Sequence, residues 1–226
     1  MELTLVESFL LLALDNKKGK FLIDSIALNH GLAGAVLMKL TILKKIKIEN
    51  KRVYVIDSSD TGTKFLDNFL HTISESRKNK RVRRWVHKLA SSLKKQKYDI
   101  IDNLVERGIL EKKRKKWLGF IPYKVYPTID STQEDELRAL LLAIIRAQRE
   151  VDPKNIMLFS LLEATKLSRV LFSQKKEYKY ARKRIKVLTR DFETNSLIHA
   201  TIKEVCSAVI TASTSAAVRA SSGSRK

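Results

Sequence analysis

The chain has 226 residues, of which 44% are hydrophobic, and its formal net charge is +21 at pH 7. This composition excludes a disordered protein, and the length allows one large domain or two small ones with a genuine core. An excess of cations destabilises the compact state by self-repulsion, so it predicts a polyanionic partner, either anionic lipid or nucleic acid, unless the whole host proteome is basic. The single cysteine, Cys206, excludes an internal disulfide and fits a reducing compartment.

No segment has the pattern of a secretory leader or of a membrane span. Glu2 and Glu7 stand among the first residues, where a secretory signal would be basic. The longest apolar runs, such as residues 139–145, fall well short of the roughly 20 residues that cross a bilayer. We therefore expect a cytoplasmic protein whose contact with a membrane is peripheral.

The N-terminal part predicts two helices. Thr4 and Glu7 have the spacing of a capping box, ahead of a helix that ends near Asp15. A second apolar helix is predicted over residues 32–43, after a break at Gly31.

A first hairpin follows these helices. Residues 45–49 and 52–56 alternate in polarity as paired strands do. The order helix, helix, hairpin is that of winged-helix modules, so this part also supports a nucleic-acid-binding hypothesis. The recognition helix would then be residues 32–43, but this segment is almost entirely apolar, which argues against its entry into a DNA groove.

Residues 77–97 contain no acidic residue and predict a basic amphipathic helix. Helical spacing places five apolar side chains on one face: Val82, Trp85, Val86, Leu89 and Leu93. Such a stripe is typical of core packing more often than of membrane anchoring. Arg81 and Arg84, on the cationic side of this helix, are candidates for contact with anionic headgroups.

A second hairpin is predicted within residues 109–126, and it combines cations with exposed apolar residues. Five consecutive cations precede its apolar part: Lys112, Lys113, Arg114, Lys115 and Lys116. The apolar residues that we expect to insert into a membrane are Trp117, Leu118, Phe120 and Ile121. Cations beside aromatic side chains suit the interface of an anionic bilayer. The alternative is an ordinary hairpin that buries its apolar face on the core.

The C-terminal half predicts further helices. Ser131 and Glu134 have capping-box spacing, and Asp152 with Pro153 has the pattern of a helix start. The last apolar helix is predicted over residues 197–212. Overall we predict a mainly α protein, with a compact helical bundle core, surrounding amphipathic helices and two short β-hairpins. Its boundaries are a single domain over residues 1–212 and a disordered Ser/Ala-rich tail over residues 213–226.

No motif of an enzyme is present in the sequence. The four histidines, His30, His71, His87 and His199, are far apart along the chain and do not have metal-ligand spacing. Phosphate-binding glycine loops and nucleophile elbows are also missing. We therefore expect a non-catalytic protein without cofactor or metal.

Several segments together resemble the Golgi phosphoprotein 3 family. They are residues 3–14 (LTLVESFLLLAL), residues 31–34 (GLAG) followed by residues 45–48 (KIKI), and residues 103–110 (NLVERGIL). The resemblance covers nearly the whole chain before its last residues and depends on the order and spacing of these segments. It implies a predominantly helical fold that binds phosphatidylinositol 4-phosphate, with a hydrophobic hairpin that enters the bilayer and can mediate self-association. It also implies an adaptor that holds protein cargo in the Golgi.

The family's headgroup pocket is only partly matched. Its basic positions fall on Lys94, Lys97 and Asp99, whereas its aromatic position falls on Asp24 and the arginine of its glycine turn on Ala33. The two lysines keep the positive charge but lack the bidentate geometry of arginine, and the two aspartates would repel a phosphate. Lys95 is a further candidate for headgroup contact. The leading hypothesis is therefore a peripheral protein on anionic membranes, and a nucleic-acid-binding protein is the alternative.

Overall fold

The computed structural model describes residues 2–118, 120–172, 174–191 and 196–223. In these residues the chain is mainly α-helical with two antiparallel strand pairs, which confirms the predicted fold class. The N-terminal helices are α1 (Leu5–Leu12), α2 (Ser25–Ile42), α3 (Lys64–Ser74) and α4 (Val82–Glu106). The C-terminal helices are α5 (Thr132–Ile145), α6 (Pro153–Ala164), α7 (Ser168–Leu171), α8 (Lys175–Asp191) and α9 (Ser196–Gly223). The strands are β1 (Ile46–Glu49), β2 (Arg52–Val55), β3 (Lys113–Trp117) and β4 (Ile121–Val125).

The start of α1 confirms the predicted capping box. The backbone N–H of Glu7 donates to Thr4 Oγ1 at 3.3 Å, and the N–H of Thr4 donates to Glu7 Oε2 at 2.7 Å. The other carboxylate oxygen of Glu7 accepts from Arg107 at 2.8 Å. One side chain thus caps the first helix and ties it to the segment that follows α4.

Helix α2 lies at the centre of the fold, where it packs against α1, α4, α6 and α9. By length and composition it could cross a membrane, but 78% of that stretch is buried inside the fold. It is continuous through Gly31, so the predicted break there is wrong. Gly34 does allow close packing, since a Cβ at this position would lie 2.7 Å from Leu161 of α6.

Gly31 is required by the ring of Phe9. A Cβ on Gly31 would lie 2.3 Å from Phe9 Cζ and 2.8 Å from Thr165 Cγ2. Gly31→Ala gains about 1 kcal/mol in helix propensity, but overpacking a full core costs about 3 kcal/mol. We expect the free energy of unfolding, measured in urea, to fall by about 2 kcal/mol. The double variant Phe9→Leu/Gly31→Ala should lose less unfolding free energy than the two single variants lose in total, because the smaller side chain leaves room for the new methyl group. A loss equal to that total would contradict this account.

The first hairpin has the predicted pairing, with Ile46 opposite Val55 and Glu49 opposite Arg52. Its turn residues, Asn50 and Lys51, have φ of 49° and 61°, as in a two-residue turn that matches strand twist. The nucleic-acid-binding hypothesis is not supported at its central element, because the proposed recognition helix is the buried part of α2.

Helix α4 includes most of the predicted basic amphipathic helix and continues beyond it. It runs unbroken from Val82 to Glu106, and the five apolar side chains of its predicted stripe are all buried. This stripe is therefore core and not a membrane anchor. Apart from Lys97, the Lys and Arg side chains of the helix remain at the surface.

Two further helix ends differ from the prediction, and one agrees. Glu134 is fully buried against Arg138 at 2.7 Å, so the predicted capping box with Ser131 is wrong. Asp152 caps α6 as predicted, accepting from the N–H of Asn155 at 2.7 Å. Helix α9 continues to Gly223, so the predicted helix end at residue 212 is wrong. The single domain over residues 1–212 and the disordered tail over residues 213–226 stay predictions.

Candidate functional site

The second hairpin is fixed at its base and projects at its tip. Strands β3 and β4 pair from Lys113 opposite Val125 to Trp117 opposite Ile121. At the base, Val125 is buried and the N–H of Tyr126 donates to the Gly19 carbonyl at 2.8 Å. The position of the tip is therefore set by the core, although the tip itself does not lie on it.

The tip exposes apolar side chains. Leu118 is 67% exposed, Phe120 is 70% exposed and Ile121 is 43% exposed, so these residues do not pack on the core as in an ordinary hairpin. The side chain of Trp117 lies outside the described residues. Leu118 has φ of 49°, a conformation that glycine adopts at lower cost. Turn geometry thus does not explain a leucine at this position.

The five hairpin cations are all exposed, but they differ in their partners. Lys112 pairs with Asp102 and Lys113 with Glu111, each at 2.8 Å. The other three, Arg114, Lys115 and Lys116, make no ion pair with any of the described residues. The uncompensated positive charge therefore lies on the part of β3 nearest the tip.

A groove of about 730 Å3 lies beside the hairpin. Its walls include Lys20, Phe21, Tyr98, Tyr123 and Tyr126, and Lys20 Nζ lies 4.9 Å from the Tyr123 ring centroid. The hydroxyl of Tyr126 is buried and has no hydrogen-bond partner among the described residues. Burial raises its pKa to about 12, so it remains a donor at neutral pH. The groove could not be predicted from the sequence, because its walls come from three separate segments of the chain.

Lys97 is a buried cation next to this groove. It is 6% exposed, and its Nζ donates to Asn29 Oδ1 at 3.2 Å and to the Lys94 carbonyl at 3.3 Å. The same Nζ lies 5.1 Å from the ring centroid of Tyr98, which also lines the groove. Among the described residues no carboxylate forms an ion pair with it. A buried ammonium without a counter-charge is costly to the fold and suits an anionic ligand.

The remaining headgroup candidates do not form one cluster. Lys94 and Lys95 are exposed on α4 beside Lys97. Arg81 is the N-cap residue of α4, and Arg84, in the first turn, is about 20 Å from Lys97 along the helix. A single headgroup therefore cannot contact both ends of the helix, and the contact of these five cations with headgroups stays a prediction.

Comparison with known proteins identifies the family. The model of the Golgi phosphoprotein 3 (GPP34) family matches residues 5–209. This chain belongs to the Golgi phosphoprotein 3 family. It is also similar to vacuolar protein sorting-associated protein 74 of Schizosaccharomyces pombe, with 23% identity over 167 residues. That match covers 65% of this chain and 49% of the relative, so the chain spans about half the length of the curated relative it matches.

The positions that the Golgi phosphoprotein 3 resemblance places in the headgroup pocket have different surroundings. The Asp24 carboxylate accepts from the N–H groups of Ile26 and Ala27 at 2.9 Å each and caps α2. Ala33 is fully buried, so it cannot contact a ligand. Of these positions, Lys97 alone combines burial with a place beside the groove.

Two of the scattered histidines are in contact, which the sequence does not reveal. His30 Nε2 lies 3.3 Å from His87 Nδ1, and burial lowers the pKa of His30. Among the described residues no group of three His, Cys, Asp or Glu side chains could hold a metal ion.

The titration of Lys97 gives a measurable signature. Burial, with a smaller effect of the Lys94 charge, lowers the pKa of Lys97 from 10.5. Between that lowered value and 10.5 the unfolded chain binds more protons at this residue, so the free energy of unfolding rises with pH. We expect Lys97→Met to remove this rise, which urea unfolding measures as the pH approaches 10.5 from below. Lys95→Met, at an exposed position, should keep it; equal slopes in the wild type and in Lys97→Met would refute a depressed pKa.

Proposed function

We propose that this Golgi phosphoprotein 3 family member is a non-catalytic, cytoplasmic protein that binds anionic membranes peripherally. One observation supports this proposal most directly. Lys97 is a buried cation that has no carboxylate partner among the described residues, and it lies beside the groove that adjoins the hairpin with the exposed apolar tip. In this proposal the tip enters the acyl boundary while the groove receives a headgroup. The tyrosine hydroxyl and the ammonium at the groove are both hydrogen-bond donors, which suits an anion.

Neither the hairpin cations nor the apolar tip is sufficient alone for stable attachment. Each Lys or Arg at an anionic surface contributes about 1 kcal/mol, so the three unpaired hairpin cations give roughly 3 kcal/mol. Burial of Leu118 and of Phe120 contributes about 2 kcal/mol each. Since stable attachment of peripheral proteins normally requires two signals, the cations and the tip together account for binding that neither would support.

Vesicle sedimentation tests the proposal. We expect the full chain to bind vesicles of phosphatidylcholine with phosphatidylserine, to bind them less at high salt, and to leave neutral phosphatidylcholine vesicles largely unbound. A further set of vesicles contains phosphatidylinositol 4-phosphate and has the same total charge as the phosphatidylserine vesicles. Comparing the two sets distinguishes recognition of this lipid from recognition of charge alone. Equal binding to neutral and anionic vesicles would overturn the proposal.

Two kinds of protein partner are also proposed: protein cargo, and a second copy of this chain that contacts the hairpin tip. The name of the fission yeast relative refers to vacuolar protein sorting, which supports a role as an adaptor for protein cargo. The exposed tip also supports self-association through the hairpin. Light scattering of the wild type and of a variant without the apolar tip, in the absence of lipid, distinguishes a dimer held by the hairpin from a monomer.

A further inference from the structure

A second cavity lies between α6, α8 and α9, away from the hairpin surface. Its volume is about 1490 Å3, and it shares no lining residue with the hairpin groove. It exceeds the roughly 300–1,000 Å3 of ordinary small-molecule pockets. Neither the family resemblance nor the proposed membrane contact accounts for it.

The floor of this cavity is apolar. It is formed by Ala164, Phe172, Ile185, Ile202, Cys206 and Ile210. Ile210 is 48% exposed and so leaves the strip open to solvent. Burial raises the pKa of the Cys206 thiol to about 12, which keeps this residue neutral and part of the apolar surface.

The rim is strongly cationic. The described residues that line the cavity include eight Lys and Arg side chains and one carboxylate, Glu163. Glu163 lies 3.5 Å from Arg182 and is thus compensated. Five lysines of the rim make no ion pair with any of the described residues: Lys175, Lys179, Lys183, Lys186 and Lys203.

We propose that this cavity binds a single-chain anionic amphiphile, with its aliphatic chain on the apolar floor and its carboxylate or phosphate head at the lysine rim. A small amphiphile fits better than an acidic protein partner, because small-molecule sites are concave and mostly apolar, and the exposed lining of this cavity is mainly apolar. The apolar floor between the three helices can hold an aliphatic chain, and the rim supplies the charge complementary to its head.

Titration calorimetry with the full chain tests the site, each amphiphile being kept below its critical micelle concentration. The probes are oleate and lysophosphatidate, which separate a carboxylate from a phosphate head. We expect at least one of the two to bind tenfold or more tightly than lysophosphatidylcholine, which has a zwitterionic head. Inorganic phosphate, which lacks a chain, should not bind measurably. Bound amphiphile should also protect backbone amides of α8 and α9 from hydrogen exchange.

Two variants locate the binding. Ile210→Asp, at an exposed floor position, and Lys179→Glu/Lys183→Glu, at the exposed rim, should each weaken amphiphile binding at least tenfold. The tip variant Leu118→Ala/Phe120→Ala should bind the amphiphile as the wild type does, so that failure of this site is distinguishable from failure of the membrane contact.

The inference is overturned if neither anionic amphiphile binds, if the zwitterionic one binds equally, or if both cavity variants bind as the wild type does. It is also overturned if an acidic amphipathic peptide protects α8 and α9 from exchange while the amphiphiles do not.

Discussion

Truncation of the hairpin tip is expected to abolish most membrane binding. In Leu118→Ala/Phe120→Ala two side chains that are 67% and 70% exposed lose the apolar atoms that would enter lipid. The loss is roughly 3 kcal/mol, which corresponds to about a hundredfold weaker partitioning onto phosphatidylserine-containing vesicles. The free energy of unfolding should change by less than about 0.5 kcal/mol, because both side chains are at the surface.

A matched control distinguishes the tip from apolar surface in general. Ile56 is 55% exposed and Ile129 is 60% exposed, and neither lies at the tip. Ile56→Ala/Ile129→Ala removes a similar amount of exposed apolar surface and should leave vesicle binding unchanged. If this control weakened binding as much as the tip variant does, the hairpin would have no special role.

Removal of the buried ammonium is expected to reduce binding to anionic vesicles selectively. Lys97→Met should weaken binding by about 2 kcal/mol, or about thirtyfold, since hydrogen bonds to charged groups contribute roughly 1.5–3 kcal/mol. Binding to neutral vesicles should not change. Lys97→Arg keeps the charge and should recover most of the affinity, provided that the larger guanidinium fits beside Asn29.

Lys95 provides the control for charge alone. Lys95→Met removes one exposed cation from the same helix, and we expect a loss of about 1 kcal/mol, or about fivefold. That smaller loss should shrink further in high salt, because exposed charges are screened more effectively than buried ones. Equal losses for Lys95→Met and Lys97→Met, with the same salt dependence, would show that surface charge is sufficient and that the groove is not a headgroup site.

Features set by neighbouring residues could be predicted from the sequence. The capping box of Thr4 and Glu7, the pairing of β1 with β2 and the buried stripe of α4 all depend on residues a few positions apart. Such signals are periodic or local, and they hold where no other residue competes for the same side chain.

Features that depend on distant partners could not be predicted. Gly31 has the pattern of a helix break, but a glycine is needed there because the ring of Phe9 leaves no room for a Cβ. Glu134 has capping-box spacing, but it is buried against Arg138 instead. Lys94, Lys95 and Lys97 look alike in sequence, and only the approach of Asn29 from α2 shows which of them is buried.

The pKa of about 12 at Cys206 has a practical consequence. Thiol reagents attack the thiolate, so this residue should react at neutral pH roughly a thousandfold more slowly than an ordinary cysteine. Leu118→Cys would therefore accept a polarity-sensitive fluorophore at the exposed tip without prior removal of the native thiol. A blue shift of its emission on addition of vesicles would then report directly how deeply the tip enters the bilayer.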